Sequence, residues 1–151
     1  MSIYGYCRIS TAKQSIDRQL RNIKAEYPTV HIVQEAYTGT SIFRPEWLKL
    51  YRILKSGDTV VFDSVSRMSR NAEEGFTLYE DLYHKGIRLV FLKEHHIDTE
   101  TYKKALSGSI AMTGTNVDFI LKGINEYLMA LAKEQIKLAF EQSEKEVADL
   151  H

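Results

Sequence analysis

The sequence predicts an α/β fold in which a mostly parallel central sheet of four to five strands is flanked by helices. Two observations support this prediction. Along residues 1–92, short apolar runs typical of buried strands alternate with segments of helical periodicity, which is the pattern of a parallel sheet with right-handed crossovers. From residue 116 onward the alternation stops, and a proline-free segment of helical periodicity predicts one long C-terminal helix.

The first half of the chain predicts two strands and two helices in alternation. Aromatic and β-branched residues predict a strand over Ile3–Ile9, and a shorter apolar run predicts a second strand over 31–33. Between them, apolar residues at helical spacing predict a helix over Lys13–Glu26 that ends at a tyrosine–proline pair. A loop of small polar residues follows over 37–41. Pro45 then fits the first turn of a helix, whose apolar side is predicted to contain Trp47, Leu48, Tyr51 and Leu54.

The second half predicts two further strands, a helix between them, and the long terminal helix. Thr59–Phe62 is almost continuously apolar, as expected for a central strand of a parallel sheet. A helix is predicted over 71–84, where a lysine–glycine pair follows, and a fourth strand over 87–92.

In the terminal helix, apolar residues follow the four-three spacing of a coiled-coil seam. The residues of this predicted seam are Val117, Leu121, Ile124, Leu128, Leu131 and Leu138. Thirty helical residues span about 45 Å, which exceeds the width of a small domain. We therefore expect part of this helix to project and to pack on another subunit. The alternative is a helix folded wholly onto its own sheet.

The composition predicts a soluble, cytoplasmic domain. The chain has 151 residues, of which 44% are hydrophobic and 26% charged, and its 20 basic side chains balance its 20 acidic ones. This neutrality argues against strong autonomous binding to DNA. Cys7 is the single cysteine, which excludes an internal disulfide and a thiolate cluster for zinc. His95 and His96 adjoin acidic residues without the spacing of a metal site, and no apolar run or N-terminal pattern indicates a membrane span or a signal peptide.

Five side chains at predicted strand ends or loops suggest phosphoryl-transfer chemistry. Arg8 and Ser10 are two residues apart on the first strand, so they face the same side of the sheet. Arg44, Arg67 and Arg70 lie in loops or at the start of a helical turn, where the last two could face one point. The carboxyl ends of parallel strands meet at one edge. Guanidinium groups gathered there around a hydroxyl could stabilise the charge of a phosphodiester under attack.

Each of these residues also has a simpler explanation. A serine after a strand is most often a helix cap, and arginines on loops are usually solvated. Gln14, Asp17 and Gln19 fit the surface of an ordinary helix. The joint arrangement is what favours a functional site.

Three motifs together resemble the catalytic domain of serine recombinases, the resolvase/invertase family. Residues 6–19, YCRISTAKQSIDRQ, resemble the family's opening pattern Y-x-R-[VI]-S-[ST]-x-x-Q. Gly39 and Ser41 with Arg44-Pro45 resemble its S-G-x-x-x-R-P loop, and residues 66–70 resemble its D-R-L-[SG]-R motif. The resemblance extends over essentially the whole chain.

The resemblance implies roles for particular residues. Ser10 would attack a DNA phosphodiester, form a 5′-phosphoserine and free a 3′ hydroxyl. Arg8, Arg67 and Arg70 would hold the scissile phosphate and stabilise the transition state. The substrate-binding residues would be Arg44, Gln14, Gln19 and Asp17. No metal or other cofactor is expected, because the ester bond to the protein retains the energy needed for rejoining.

The resemblance also implies an organisation and partners. Residues 1–115 would form the catalytic domain, and 116–151 a helix for dimers and tetramers that act on DNA crossover sites. A C-terminal DNA-binding domain would be expected in the full-length protein, and no membrane is involved.

Two departures from the family pattern leave an alternative open. Ser66 stands where the family has an aspartate, and Gln135 follows Glu134 where the family commonly has an arginine. The alternative is a non-catalytic oligomerisation module of the same fold. A small phosphate-binding module of flavodoxin or response-regulator type is a further option, but the sequence lacks a glycine-rich phosphate loop and clustered acidic residues.

Overall fold

The fold is built on a four-stranded, all-parallel sheet. The structure, a computed structural model, describes residues 1–9, 13–36, 44–69, 71–107 and 111–149. Its strands are β1 (Ile3–Ile9), β2 (His31–Ala36), β3 (Thr59–Phe62) and β4 (Arg88–Phe91). They lie in the order β2-β1-β3-β4, and every neighbouring pair is parallel. The predicted α/β fold with a parallel sheet is confirmed, and all four strands end at the same edge.

Helices cover both faces of the sheet. The described helices are α1 (Lys13–Glu26), α2 (Pro45–Ile53), α3 (Val65–Met68), α4 (Ala72–His84), α5 (Thr99–Ser107) and α6 (Asp118–Asp149), with a 3₁₀ turn over His95–Ile97. The predicted bounds of α1 are confirmed. The helix predicted from residue 71 begins one residue later, because Asn71 is its N-cap and accepts a hydrogen bond from the Glu74 N–H at 2.9 Å. Helix α5 and the 3₁₀ turn were not predicted, and α3 was expected only as the start of a helical turn near Arg67.

Alternation along the strands divides the core into two layers. One layer, under α2, α4 and α6, contains Tyr6, Phe62 and Phe91, and the other, under α1, contains Cys7, Val61 and Val90. Helix α1 approaches β1 closely at Gly5, where an added Cβ would lie 2.9 Å from Cγ2 of Ile23. The sheet therefore lies between α1 on one face and the helices α2, α4, α5 and α6 on the other, with the short α3 beside them.

The apolar side of α2 departs from the prediction at Leu48. Trp47 and Leu50 are buried, and Tyr51 and the C-cap residue Leu54 pack against the same core, whereas Leu48 is exposed. The helix starts at Pro45 as predicted, so Trp47 and Leu50 are three residues apart and face the sheet together. Of the four predicted apolar residues, Trp47, Tyr51 and Leu54 contact the core and only Leu48 faces solvent.

Helix α6 contacts its own domain through a face other than the predicted seam. Ile136, Ala139 and Phe140 are buried, and they repeat at helical spacing. The seam residues Val117, Ile124, Leu131 and Leu138 are all exposed. The predicted helix is confirmed, and the seam that we expect to pack on another subunit is not the face buried within the domain.

The first half of α6 leaves large apolar side chains in solvent. Phe119 is 75% and Tyr127 is 66% exposed, so α6 is not folded wholly onto the sheet. Contact of this half with another subunit stays a prediction. None of the described helices combines the length and apolarity needed to cross a bilayer.

Two helical glycines give a matched test of this packing. A Cβ at Gly75 in α4 would lie 2.5 Å from the ring of Phe140, whereas a Cβ at Gly123 in α6 would meet no atom within 4 Å. We expect Gly123→Ala to raise the free energy of unfolding by up to about 1 kcal/mol through helix propensity. We expect Gly75→Ala to lower it by about 2 kcal/mol, because overpacking outweighs propensity. Urea unfolding followed by circular dichroism measures both, and a Gly75→Ala variant as stable as the parent would contradict the docking of Phe140.

Candidate active site

Arg8 lies at the carboxyl end of β1 and is almost completely buried. Its side chain is 2% exposed, and Nη2 donates a hydrogen bond to the carbonyl oxygen of Ser66 at 2.7 Å. The backbone of Arg8 is held from the other side by Gln19. Gln19 Oε1 accepts from the Arg8 N–H at 3.2 Å, and its Nε2 donates to the Arg8 carbonyl at 3.0 Å. The end of β1 is therefore fixed through both its backbone and its side chain.

Gln19 belongs to the buried face of α1. It is 1% exposed and lies between Ile16 and Ile23, at the spacing that faces the sheet. In this structure Gln19 positions Arg8, and its predicted role in substrate binding stays a prediction. Asp17, on the same helix, is exposed, and its predicted role is likewise untested.

Arg44 reaches the same region from the start of α2. It directly precedes Pro45 and is half-buried, and its Nη1 donates a hydrogen bond to the carbonyl oxygen of Met68. The first turn of α2 is held by a carboxylate of β2. Glu35 Oε1 accepts from the Trp47 N–H at 3.1 Å, and its Oε2 accepts from the Glu46 N–H at 3.3 Å.

Glu35 is a site residue that sequence reasoning missed. It is 1% exposed, pairs in register with Arg8 across β1 and β2, and accepts a hydrogen bond from the Tyr6 hydroxyl at 3.3 Å. The pKa of Tyr6 is raised first by burial and then by the charge of Glu35, against the opposing charges of Arg44 and Arg8. Because Glu35 and Arg8 are in register, their side chains project from the same face of the sheet. In the sequence, Glu35 could be noticed as a glutamate within a partly apolar strand. Its position beside Arg8 could be known only from the pairing of β1 with β2.

The one-turn helix α3 is where three arginines meet. Arg67 belongs to α3 and is half-buried, Arg8 donates to the carbonyl of Ser66, and Arg44 donates to the carbonyl of Met68. The side chains of Val65 and Met68 anchor α3 in the core. The structure therefore brings together three of the four arginines that the sequence singled out.

A carboxylate from the next strand end fixes the start of α3. Glu94 Oε1 accepts a hydrogen bond from the Val65 N–H at 3.0 Å. The pKa of Glu94 is raised, chiefly by burial, while the Val65 N–H lowers it. Glu94 is another residue whose contribution to the site was not predicted.

The structure shows what occupies the position where the family pattern has an aspartate. The hydroxyl of Ser66 lies 2.8 Å from the hydroxyl of Ser64, and the carbonyl of Ser66 receives the hydrogen bond from Arg8. Asp63 does not take the place of the missing carboxylate. It is buried on the α1 side, where Oδ1 accepts from Asn22 Nδ2 at 2.9 Å and Oδ2 lies 3.3 Å from Lys93 Nζ.

Several predicted site residues lie outside the described part of the chain. These are Ser10, Arg70 and the loop 37–41, together with the side chain of Gln14. The prediction that Arg67 and Arg70 face one point therefore stays a prediction; helix α3, which contains Arg67, ends at Met68. Among the described residues, no group of three or more histidine, cysteine, aspartate or glutamate side chains could hold a metal ion.

Comparison with known proteins identifies the family. The sequence profile described as "Resolvase, N terminal domain" matches residues 3–146. The chain belongs to the resolvase family. It is 32% identical over 91 residues to the transposon Tn21 resolvase of Escherichia coli, a match that covers 60% of the chain and 47% of that protein. It is 28% identical over 134 residues to the transposon Tn1721 resolvase of Escherichia coli, covering 87% of the chain and 70% of the relative.

Some of these resolvases are about twice as long as the matched region. The match with a resolvase of Clostridium perfringens covers 52% of that protein, and the Tn21 match covers a similar share. Among solved structures, a resolvase family site-specific recombinase from Streptococcus pneumoniae superposes with a TM-score of 0.51 at 20% identity, covering 99% of both chains. That likeness supports the resolvase fold.

The buried carboxylate of Glu35 yields a stability prediction. Glu35→Ala leaves the N–H groups of Glu46 and Trp47 without their acceptor, so we expect the free energy of unfolding to fall by about 3 kcal/mol. Glu46→Ala, which removes only a surface ion pair with Lys49, should cost less than about 1 kcal/mol. Urea unfolding of the two variants is the measurement, and equal losses would show that Glu35 does not anchor α2.

The single cysteine provides a probe of β1. Burial, followed by the charge of Asp63, raises the pKa of the Cys7 thiol to about 12, while Arg67 opposes the shift. At pH 8 the native thiol should react with iodoacetamide about three orders of magnitude more slowly than the urea-unfolded thiol, whose pKa is about 8.5. Because the unfolded thiol ionises first, this group also lowers stability as the pH rises from about 8.5 towards 12. Native and unfolded alkylation rates within ten-fold of each other would contradict the burial of Cys7.

Proposed function

We propose that this chain is the catalytic domain of a site-specific DNA recombinase in which Ser10 is the nucleophile. The observation that carries the proposal is the convergence of Arg8, Arg44 and Arg67 on α3, beside the strand end that leads into Ser10. Membership of the resolvase family supports the same chemistry.

The proposed reaction is a transesterification at phosphorus. Ser10 Oγ forms a bond to the scissile phosphorus and loses its proton, while the bond from phosphorus to the 3′ oxygen breaks and that oxygen gains a proton. The products are a 5′-phosphoserine and a free 3′ hydroxyl. Attack of a 3′ hydroxyl on the phosphoserine reverses the step and rejoins DNA, so the number of phosphoester bonds is conserved.

The arginines differ in how they can act on the phosphate. Arg44 and Arg67 are partly exposed and are available for direct contact with phosphate oxygens. Arg8 is buried, so in this structure it contributes positive charge from the interior, where the low dielectric strengthens its effect. The resemblance adds Arg70 to the phosphate-holding group, and Gln14, Gln19 and Asp17 to the substrate side.

DNA is the proposed substrate and partner, at a crossover site bound by dimers that pair as tetramers. The exposed apolar side chains on the first half of α6 support a role for that helix in oligomerisation. Since the chain has no net charge, most of the affinity for DNA is expected from other parts of a full-length protein. By this proposal residues 1–115 form the catalytic unit and 116–151 the oligomerisation helix.

The decisive experiment traps the covalent intermediate. The full-length protein is incubated with a pool of nicked duplexes of randomised sequence, in which cleavage releases a short fragment and prevents rejoining. We expect a protein–DNA adduct at a 5′ end that survives denaturing electrophoresis and disappears with Ser10→Ala. Ser66→Ala, which removes a second hydroxyl near the arginines, should retain the adduct.

The outcomes separate the competing functions. An adduct that persists in Ser10→Ala and is lost in Ser66→Ala would refute Ser10 as the nucleophile. A wild-type protein that binds the duplexes and oligomerises on them without any adduct would favour the non-catalytic module.

A further inference from the structure

The second half of α6 packs directly against the segment that joins α3 to α4. Phe140 is 1% exposed and lies in the same core cluster as Val65 and Met68 of α3. Its ring occupies the space left by the missing side chain of Gly75, since a Cβ there would lie 2.5 Å from two ring carbons. The same Cβ position is 3.2 Å from Cβ of Ser69. Phe140, Gly75 and Ser69 therefore meet at one point, directly after the end of α3.

A second contact from α6 lies one turn further along. Glu144 Oε2 accepts a hydrogen bond at 3.0 Å from the N–H of Ala72, the first residue of α4. The first N–H groups of a helix have no partner within the helix, so this carboxylate satisfies a donor that would otherwise depend on water. Phe140 and Glu144 are four residues apart and therefore project from the same face of α6.

The connection between α3 and α4 is itself closed by hydrogen bonds. Ser69 Oγ donates to the carbonyl of Asn71 at 2.9 Å and accepts from the Asn71 N–H at 3.2 Å. Asn71 in turn caps α4 through the N–H of Glu74. The end of α3 and the start of α4 are thus linked through short, local contacts, and a displacement of one is passed to the other.

We propose that Phe140 and Glu144 are positioning residues for the recombination reaction. By holding the start of α4 and the end of α3, they set the location of Arg67 and of the two α3 carbonyls that hold Arg8 and Arg44. This inference rests on the proposed function for its catalytic consequence. It also couples the long helix to the active site, because α6 cannot shift along α4 without moving the α3 end on which the arginines meet.

The structural part of the proposal is tested by amide hydrogen exchange of this chain. The variants are Phe140→Leu, Glu144→Ala and Glu144→Gln, with Glu141→Ala as the matched control, since Glu141 lines the same groove between α4 and α6. We expect Glu144→Ala and Phe140→Leu to speed exchange of the Arg67, Ser69 and Ala72 amides by about five-fold or more. Amides in β1 and β3 should be unchanged, and Glu144→Gln, which retains an acceptor oxygen, should resemble the parent.

Two exchange results would overturn the proposal. One is unchanged protection of the α3 amides in both Glu144→Ala and Phe140→Leu. The other is uniform acceleration throughout the sheet, which would mean that the two residues contribute only to global stability.

The catalytic part is tested with the nicked duplexes and the full-length protein. At saturating DNA, Glu144→Ala should form the phosphoserine adduct at least about ten-fold more slowly, because displaced catalytic groups slow the chemical step. The half-saturating DNA concentration should be unchanged, and Glu144→Gln and Glu141→Ala should react at close to the parent rate. Normal adduct rates in Glu144→Ala and Phe140→Leu, despite faster exchange at α3, would overturn the positioning role. Absence of adduct from the unsubstituted protein would refute the proposed function instead. The hydrogen-exchange experiment would still test whether Phe140 and Glu144 hold the connection between α3 and α4.

Discussion

The candidate site depends on two hydrogen bonds that run from guanidinium groups to the carbonyls of α3. A four-residue helix is too short to be stable alone, and its carbonyls lack partners within the helix. Arg8 and Arg44 supply donors for two of them, at Ser66 and Met68. These two hydrogen bonds have two effects. They give the backbone of α3 partners, and they fix the side chains of Arg8 and Arg44 at the helix that contains Arg67. Preorganised charge of this kind is what a developing phosphorane requires.

Burial of so many charges is possible because each sheet face has its own counter-charges. Removing an ion from water costs several kcal/mol unless a partner and hydrogen bonds compensate. On the face of α2, the carboxylate of Glu35, which is in register with Arg8, accepts hydrogen bonds from two backbone N–H groups. On the face of α1, Asp63 is bonded to Asn22 and lies beside Lys93. The sheet separates the two carboxylates: Glu35 is on the face of Arg8, whereas Asp63 is held on the face of α1 just after β3.

Local sequence patterns predicted the elements but not the contacts between them. β1, α1 and β3 followed from strong periodicity, and the arginines followed from short motifs at strand ends. Glu35, Gln19 and Glu94 act through strand register and helix packing, which no local pattern encodes. Helix α6 shows the same limit: its four-three spacing revealed a helix, but a second stripe through Ile136 and Phe140 is the one that the domain buries. An apolar stripe in the sequence therefore predicts a helix with an apolar face, but the tertiary structure determines which residues pack on that face.

The two halves of α6 have different surroundings, so this helix can connect a partner surface to the candidate active site. Its second half is docked on the α3–α4 connection through Phe140 and Glu144, whereas its first half exposes Phe119 and Tyr127. A helix rises about 1.5 Å per residue and bends little, so these side chains lie about 20 to 38 Å apart along one stiff helix. A partner that covers the exposed half would stabilise one orientation of α6 relative to the sheet. The other end of α6 contacts the connection between α3, which contains Arg67, and α4. Association with a partner and the geometry of the active site would then both depend on the position of this one helix.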